Sequence, residues 1–269
     1  MTKGKKFGMY LFLCIVSFIS VFPLYWMVCA ATNKSAEVVS GRLIPGTYFI
    51  DNLKNLLGNQ NIGRALGNSF KYAIILTLVS LVVSSLAGYG FEIYHDKAKD
   101  TVMSIILLAM MVPFVATMIP LFQMFSKAGW LNTTIGFILP TVSTPFLIMM
   151  FRQSARSFPH DIMEAARIDG LSEIRIFFQM FIPTMRSTYA AAMTITFMNA
   201  WNNFMWAKLI MSNDETQTFP MLISNMTSGH YTDYGMLMLA VLISTLPTVI
   251  VFFALQKSFV QGMTGAVKG

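Results

Sequence analysis

Residues 158–183, FPHDIMEAARIDGLSEIRIFFQMFIP, form the longest charge-dense run in an otherwise very apolar chain, and hydrophobic blocks long enough to cross a bilayer lie on both sides of it. Pro159 suits the first turn of a helix, where its missing N–H is not needed. Asp161 and Glu164 favour the positive N-terminal end of that helix. Gly170 can end it in a left-handed conformation, and Ser172 can cap a second helix running on to Pro183. The run predicts a helix, a glycine turn and another helix, lying at a membrane surface as a docking knob. Charges and a glycine alone would equally describe an ordinary solvated loop.

Composition decides what surrounds this run. The 269 residues are 55% hydrophobic and only 12% charged, and the mean hydropathy is +0.60. An average soluble domain has roughly 25% charged residues. Such a chain cannot cover itself with polar surface in water, so it reads as an integral membrane protein. The formal net charge of +7 then reflects Lys and Arg gathered on the inner face, and no nucleic-acid partner is needed to explain it. Cys14 and Cys29 both fall in the first apolar block and predict neither a disulfide framework nor a metal site.

Working outward, six apolar blocks are expected as transmembrane helices at about 9–31, 69–91, 101–125, 134–151, 186–206 and 235–255. Each is close to the ~20 residues a spanning helix needs. Lys3, Lys5 and Lys6 precede the first block, which is longer than a signal-peptide core; Pro23, Tyr25 and Trp26 suit an interfacial anchor at its far end. Segment 32–68 is polar, and Leu53, Leu56, Leu57 and Leu66 fit either a short amphipathic surface helix or an irregular loop. Ser80, Ser84 and Gly88 put three small residues on one helical face, ready for a close neighbour. Pro113 and Pro120 should kink or interrupt the third block, with Pro140 and Pro145 in the fourth. With both termini inside, 12 of the 19 Lys and Arg fall on the inner side and 7 outside, which favours that orientation. The expected fold is therefore all-α: one transmembrane domain, 1–269, with a helix–turn–helix segment at 157–185 and an inner tail at 256–269.

Chemistry of its own is hard to find in this chain. There is no phosphate-binding GxxxxGK[ST] loop, no metal-ligand cluster, and no Ser-His-Asp arrangement on a shared surface. His95 stands alone in a charged turn. No acidic or basic residue need sit deep in a span, which argues against a proton-coupled carrier. The remaining polar constellation is Asn199, Trp201, Asn202 and Asn203 in the fifth block. Amides and an indole suit the hydroxyls and ring faces of a sugar, but the same groups could simply bond neighbouring helices.

Glu164-Ala165-Ala166, three residues, Gly170, nine residues, then Met180-Phe181-Ile182-Pro183 resembles the EAA signature of bacterial ABC importer permeases. There the pattern is E-A-A, three residues, G, nine residues, I-x-L-P; Met180 and Ile182 depart from it. Pro23-Leu24-Tyr25-Trp26, Asn68-Ser69, Trp201-Asn202-Asn203-Phe204 and the tail at 262–269 are similar to the smaller permease subunit of the maltose-type carbohydrate importers. Asn203 stands where that class has Glu, and the tail is one residue shorter. The resemblance implies a coupling helix seated in a cleft of a separate cytoplasmic ATPase, through Glu164, Ala165, Ala166, Arg167, Asp169, Gly170 and Leu171. The small Ala165 and Ala166 would admit another surface closely. It further implies a second permease chain, two ATPase subunits that bind the ATP and Mg2+, and an extracellular sugar-binding protein. The cargo would be a carbohydrate, above all an oligosaccharide, and the chain would lie in the bacterial cytoplasmic membrane with no cofactor or metal of its own. A permease for a non-sugar solute, or an ATP-independent carrier or scaffold, are the competing readings.

Overall fold

Proline and amide positions decide where the apolar blocks run straight and where they break. The computed structural model describes residues 3–228 and 232–265, with side chains for 5–228 and 232–256. Every regular element among them is helical. In order these are α1 (Lys3–Ala31), α2 (Ser35–Val39), α3 (Phe49–Asn59), α4 (Ile62–Ile93), α5 (Lys97–Ala109), α6 (Phe114–Lys127), α7 (Thr134–Ile138) and α8 (Pro145–Ala155). They continue with α9 (His160–Ile168), α10 (Glu173–Ile176), α11 (Ile182–Thr184), α12 (Arg186–Trp201), α13 (Met205–Ile210), α14 (Phe219–Met226) and α15 (Tyr234–Gly265).

Among the described residues, three helices are long and apolar enough to cross a membrane: Lys5–Ala31, Ile62–Ile93 and Tyr234–Gln256. The third expected span is instead two helices, α5 and α6, bent by 96°. The break has a clear cause: Pro113 brings no N–H and holds extended backbone (φ −61°, ψ 130°) ahead of α6. The turn before it tightens through Met110, Met111 and Val112 N–H groups donating three residues back. The fourth span is bent by 55° between α7 with its 3-10 extension and α8. There Thr144 accepts from the Leu147 N–H and Pro145 takes the first helical position, so a new helix starts. Counting each bent pair as one span makes five. The fifth expected block yields α12, 16 residues long, or about 24 Å at 1.5 Å per residue. It stops at Trp201, and Asn202 and Asn203 lie in a turn before α13. The tail expected at 256–269 continues α15 as backbone to Gly265, whereas residues 266–269 lie outside the described residues.

The chain divides into two units, residues 1–64 with 219–247, and residues 65–218 with 248–269. In the first, a polar knot closes the end of α1. The Asn33 amide donates to the Cys29 and Ile44 carbonyls, both at 2.9 Å, and the Asn52 amide donates to the Ala31 and Asn33 carbonyls at 2.9 and 3.0 Å. Asn52 belongs to α3, whose Leu56 is fully buried while Leu57 is exposed. The expected amphipathic helix is thus present, one-sided and anchored by an amide; Leu66 belongs to α4.

In the second unit α4 is the central element. Ser80 and Ser84 are fully buried. A Cβ at Gly88 would stand 2.6 Å from the Phe151 Cβ and 2.7 Å from the Arg152 nitrogen, so α4 and α8 touch backbone to backbone there. The small-residue face is buried, and at Gly88 the neighbour it meets is α8. Leu81, Leu147, Phe151 and Ala192 fill the space between α4, α8 and α12.

Candidate functional site

The charge-dense run folds as the expected helix, turn and helix. α9 starts after Pro159, with Asp161 in its first turn, and ends at Ile168. Gly170 has φ +80°, a region that L-residues with a Cβ enter only at a cost. The turn closes by two bonds, Leu171 N–H to the Ala166 carbonyl at 3.0 Å and Gly170 N–H to the Arg167 carbonyl at 3.1 Å. This pair satisfies the orphan carbonyls of the last helical turn as a Schellman motif does. Leu171 packs on the core beneath, which completes the motif's apolar contact. Ser172 occupies the cap position of α10 but its hydroxyl makes no capping bond. The second helix then widens into a π turn at Phe177–Phe181, where the Ile182 N–H donates back to the Phe177 carbonyl.

That π turn serves an aromatic core. Phe158, Met163, Ala166, Ile176, Phe177 and Phe181 are all buried, together with Tyr89 of α4 and Ala155 of α8. Tyr89 lies edge-on to Phe177 and Phe181, with ring centres 5.3 and 4.9 Å apart. Such aromatic pairs add to the energy of burial itself. A polar clasp sits at the rim: the Arg167 Nε donates to one Glu173 oxygen at 2.7 Å, and the Tyr94 hydroxyl donates to the other at 2.7 Å. The Arg167 hydrogen bond, seconded by that of Tyr94, holds the Glu173 carboxyl below its usual range. The two helices of the run and the end of α4 are thereby joined at one carboxylate.

The seven residues singled out from the sequence divide between two faces. Glu164, Ala165 and Asp169 point outward. Arg167 is committed to Glu173, and Gly170 and Leu171 make the turn. Ala166 is 1% exposed and packs inward, so the close approach it permits is to this chain's own core, which corrects the expectation of an outer contact there. Apolar side chains are also exposed on these helices: Ile168 is 87% and Ile174 71% exposed, and Ile162 is exposed too. Sequence reasoning missed Glu173 and Tyr94. The first lay within the run, but only the turn brings it to Arg167, six residues earlier.

A cavity of about 600 Å3 lies beside α8 and α12. Asn199, Asn202 and Asn203 all line it, with Thr141, Thr144, Thr196, Phe114, Phe146, Phe204 and Trp206. None of its lining residues is charged. Trp201 is absent from the lining; it is buried against Phe70 and Phe197, with ring centres at 4.8 and 6.0 Å. Trp206 takes the place expected of it. Its indole N–H is shared between the Gly136 and Phe137 carbonyls at 3.1 and 3.2 Å, which fixes the ring at the wall. The sequence signal was a break in the helix: three amides in five residues stop α12, and a tryptophan after the break no longer follows its register. His95 pairs with Asp100 at 2.9 Å, and no group of metal-ligating residues occurs among the described residues.

Residues 80–265 match the family described as binding-protein-dependent transport system inner membrane component. Among characterised proteins, the chain is 43% identical to the lactose transport system permease protein LacG of Rhizobium radiobacter, covering 96% of this chain and 95% of that one. It is 32% identical to the arabinooligosaccharides transport system permease protein AraQ of Halalkalibacterium halodurans, covering 94% and 93%. It is also 32% identical to the sn-glycerol-3-phosphate transport system permease protein UgpE of Pectobacterium atrosepticum, covering 94% of each. The fold is shared with a chain of a bacterial ABC transporter involved in the import of the acidic polysaccharide alginate, at TM-score 0.85 and 20% identity, over 96% of this chain and 99% of that one.

Proposed function

This chain belongs to the family of binding-protein-dependent transport system inner membrane components, and on that premise we propose that it is one of two permease chains in an ATP-driven importer of a neutral di- or oligosaccharide. The observation that carries the coupling half of this reading is the outer face of α9 and α10. A polar turn that holds Ile168 and Ile174 out in water, on a core already closed behind them, is shaped for a partner surface. That partner is a cytoplasmic ATPase subunit, with Glu164, Ala165 and Asp169 around the apolar contact. In a six-span topology with both termini inside and α12 counted as the fifth span, this face would lie on the same side as most of the Lys and Arg.

The neutral cavity supports the substrate class. Amides and hydroxyls beside aromatic rings match sugar hydroxyls and ring faces, and about 600 Å3 lies within the roughly 300–1,000 Å3 of small-molecule sites. A phosphate ester would call for a cationic partner, so the glycerol-phosphate relatives are the poorer guide and the lactose and arabino-oligosaccharide relatives the better. In the cycle, closure of the ATPases moves α9 and α10, the bundle turns outward, and a sugar-binding protein delivers cargo. That protein docks on the far side, where residues 211–218 are held in shape. Asn132 Oδ1 accepts from the Ser212 N–H at 2.7 Å, and the Asn68 amide donates to the Glu215 and Gln217 carbonyls at 2.8 and 3.1 Å.

The test is uptake by the complete complex, with its ATPases and binding protein, in proteoliposomes. ATP-dependent uptake of lactose or arabinotriose, but not of glycerol 3-phosphate, is expected. Phosphate-ester uptake, or sugar uptake by this chain alone, would overturn the reading. A cysteine at position 165 should crosslink to an ATPase subunit.

A further inference from the structure

Arg152 is 5% exposed at the C-terminal end of α8. Its Nε donates to Glu92 Oε2 at 3.1 Å and its Nη2 to Asp100 Oδ1 at 2.6 Å. Glu92 closes α4 and Asp100 opens α5, so one guanidinium ties the ends of three helices. Two further side chains face this network: Arg156, 3.4 Å from the same Glu92 oxygen, and His95, 2.9 Å from the second Asp100 oxygen. The fork sits where the α4 and α8 backbones touch at Gly88, so it has no slack.

α8 also belongs to two working parts at once. Its Ala155 is part of the aromatic core beneath α9 and α10, while Phe146 and Leu147, at its other end, line the cavity. Its 11 residues make a rod of about 16 Å. We propose that Arg152 is a positioning residue of the transport cycle: a joint, with Glu92 and Asp100 as its socket, through which movement of the α9–α10 face is delivered to the cavity wall along α8. The proposal rests on the importer reading above. A buried guanidinium cannot leave both carboxylates without stranding charge in a poorly solvated place, so the three helix ends move as a block. Arginine suits the task because its donors are spread over a rigid fork that can address two carboxylates on separate helices; lysine offers a single point charge.

The experiment compares sugar moved per ATP hydrolysed in proteoliposomes of the complete complex, with lactose and arabinotriose as probes. Arg152→Gln is expected to lower that ratio at least tenfold, and Arg152→Lys to keep part of it. Because Arg152→Gln takes the shared cation from two acids, leaving Glu92 with Arg156 and Asp100 with His95, the decisive variant is Arg152→Gln with Glu92→Gln and Asp100→Asn. It removes the buried charge together with both acids, and the one cation that loses a partner, Arg156, is half exposed to water, so the variant should assemble in wild-type yield yet remain at least tenfold uncoupled. A wild-type ratio in the triple variant overturns the joint, as does failure of that variant to assemble, which would make the network a fold-holding element only. Wild-type complex that hydrolyses ATP without moving either sugar would instead sink the importer reading.

Discussion

Replacing Gly170 separates backbone strain from crowding. The position has φ +80°, and nothing lies within 4 Å of where a Cβ would stand, so the whole effect comes from the conformation. Holding an L-residue in the left-handed region costs roughly 1–2 kcal/mol, with β-branched residues above that range and Asn near the bottom of it. Since 1.4 kcal/mol is tenfold, Gly170→Ala should lower the equilibrium constant for closing the turn by about 5- to 30-fold and Gly170→Val by more. The apolar core beneath, from Phe158 to Phe181, does not depend on that one angle, so insertion and assembly should persist. The assay is ATP-dependent sugar uptake, normalised to the amount of complex in the membrane. The expected order is Gly, then Asn, then Ala, then Val. Normal uptake by Gly170→Val would refute the reasoning. So would Gly170→Asn failing as badly as Val, because size at the position would then matter more than φ.

Gly88→Ala should lower the thermal stability of the purified complex by an amount corresponding to about 1–3 kcal/mol or more of overpacking, because two of the atoms its methyl meets are α8 backbone. Gly90→Ala, with open space at its Cβ, should instead stabilise by about 0.5–1 kcal/mol. Ile168→Ala should leave the stability of this chain unchanged, since the residue is already in water. It should weaken co-purification of the ATPase, by up to the roughly 1.5–3 kcal/mol of a buried Ile side chain. Glu173 has a folded-state pKa below its ordinary 4.5. Its contribution is therefore fully present at neutral pH and lost as pH falls below 4.5 through the folded value. Protease sensitivity of the α9–α10 segment should rise across that acid window in the wild type and lose that pH step in Glu173→Gln.

The Gly170 turn was legible because it is local: a glycine eleven residues after Pro159, followed by a leucine, is enough to close a helix and start another. Its inner side was not legible. Ala165 and Ala166 are chemically identical, and only the helical phase relative to Met163 turns one outward and the other into the aromatic core. Likewise Trp201 looked like the cavity's indole, but it lies on the α12 face turned toward Phe70 and Phe197. The Asn202–Asn203 break re-aims the chain so that Trp206 reaches the wall instead.

The amino-acid sequence alone determined that this protein lives in a bilayer, which apolar runs supply its helices, and which short charged segment stands out from them. Those properties follow from composition, hydropathy and turn chemistry, which act over a few residues at a time. Tertiary structure decided the rest. Pairing Arg152 with Glu92 and Asp100, across 60 and 52 residues of chain, requires the α4–α8 contact at Gly88. The uncharged cavity likewise depends on packing between elements distant in sequence, and no local pattern encodes which partner a side chain meets there.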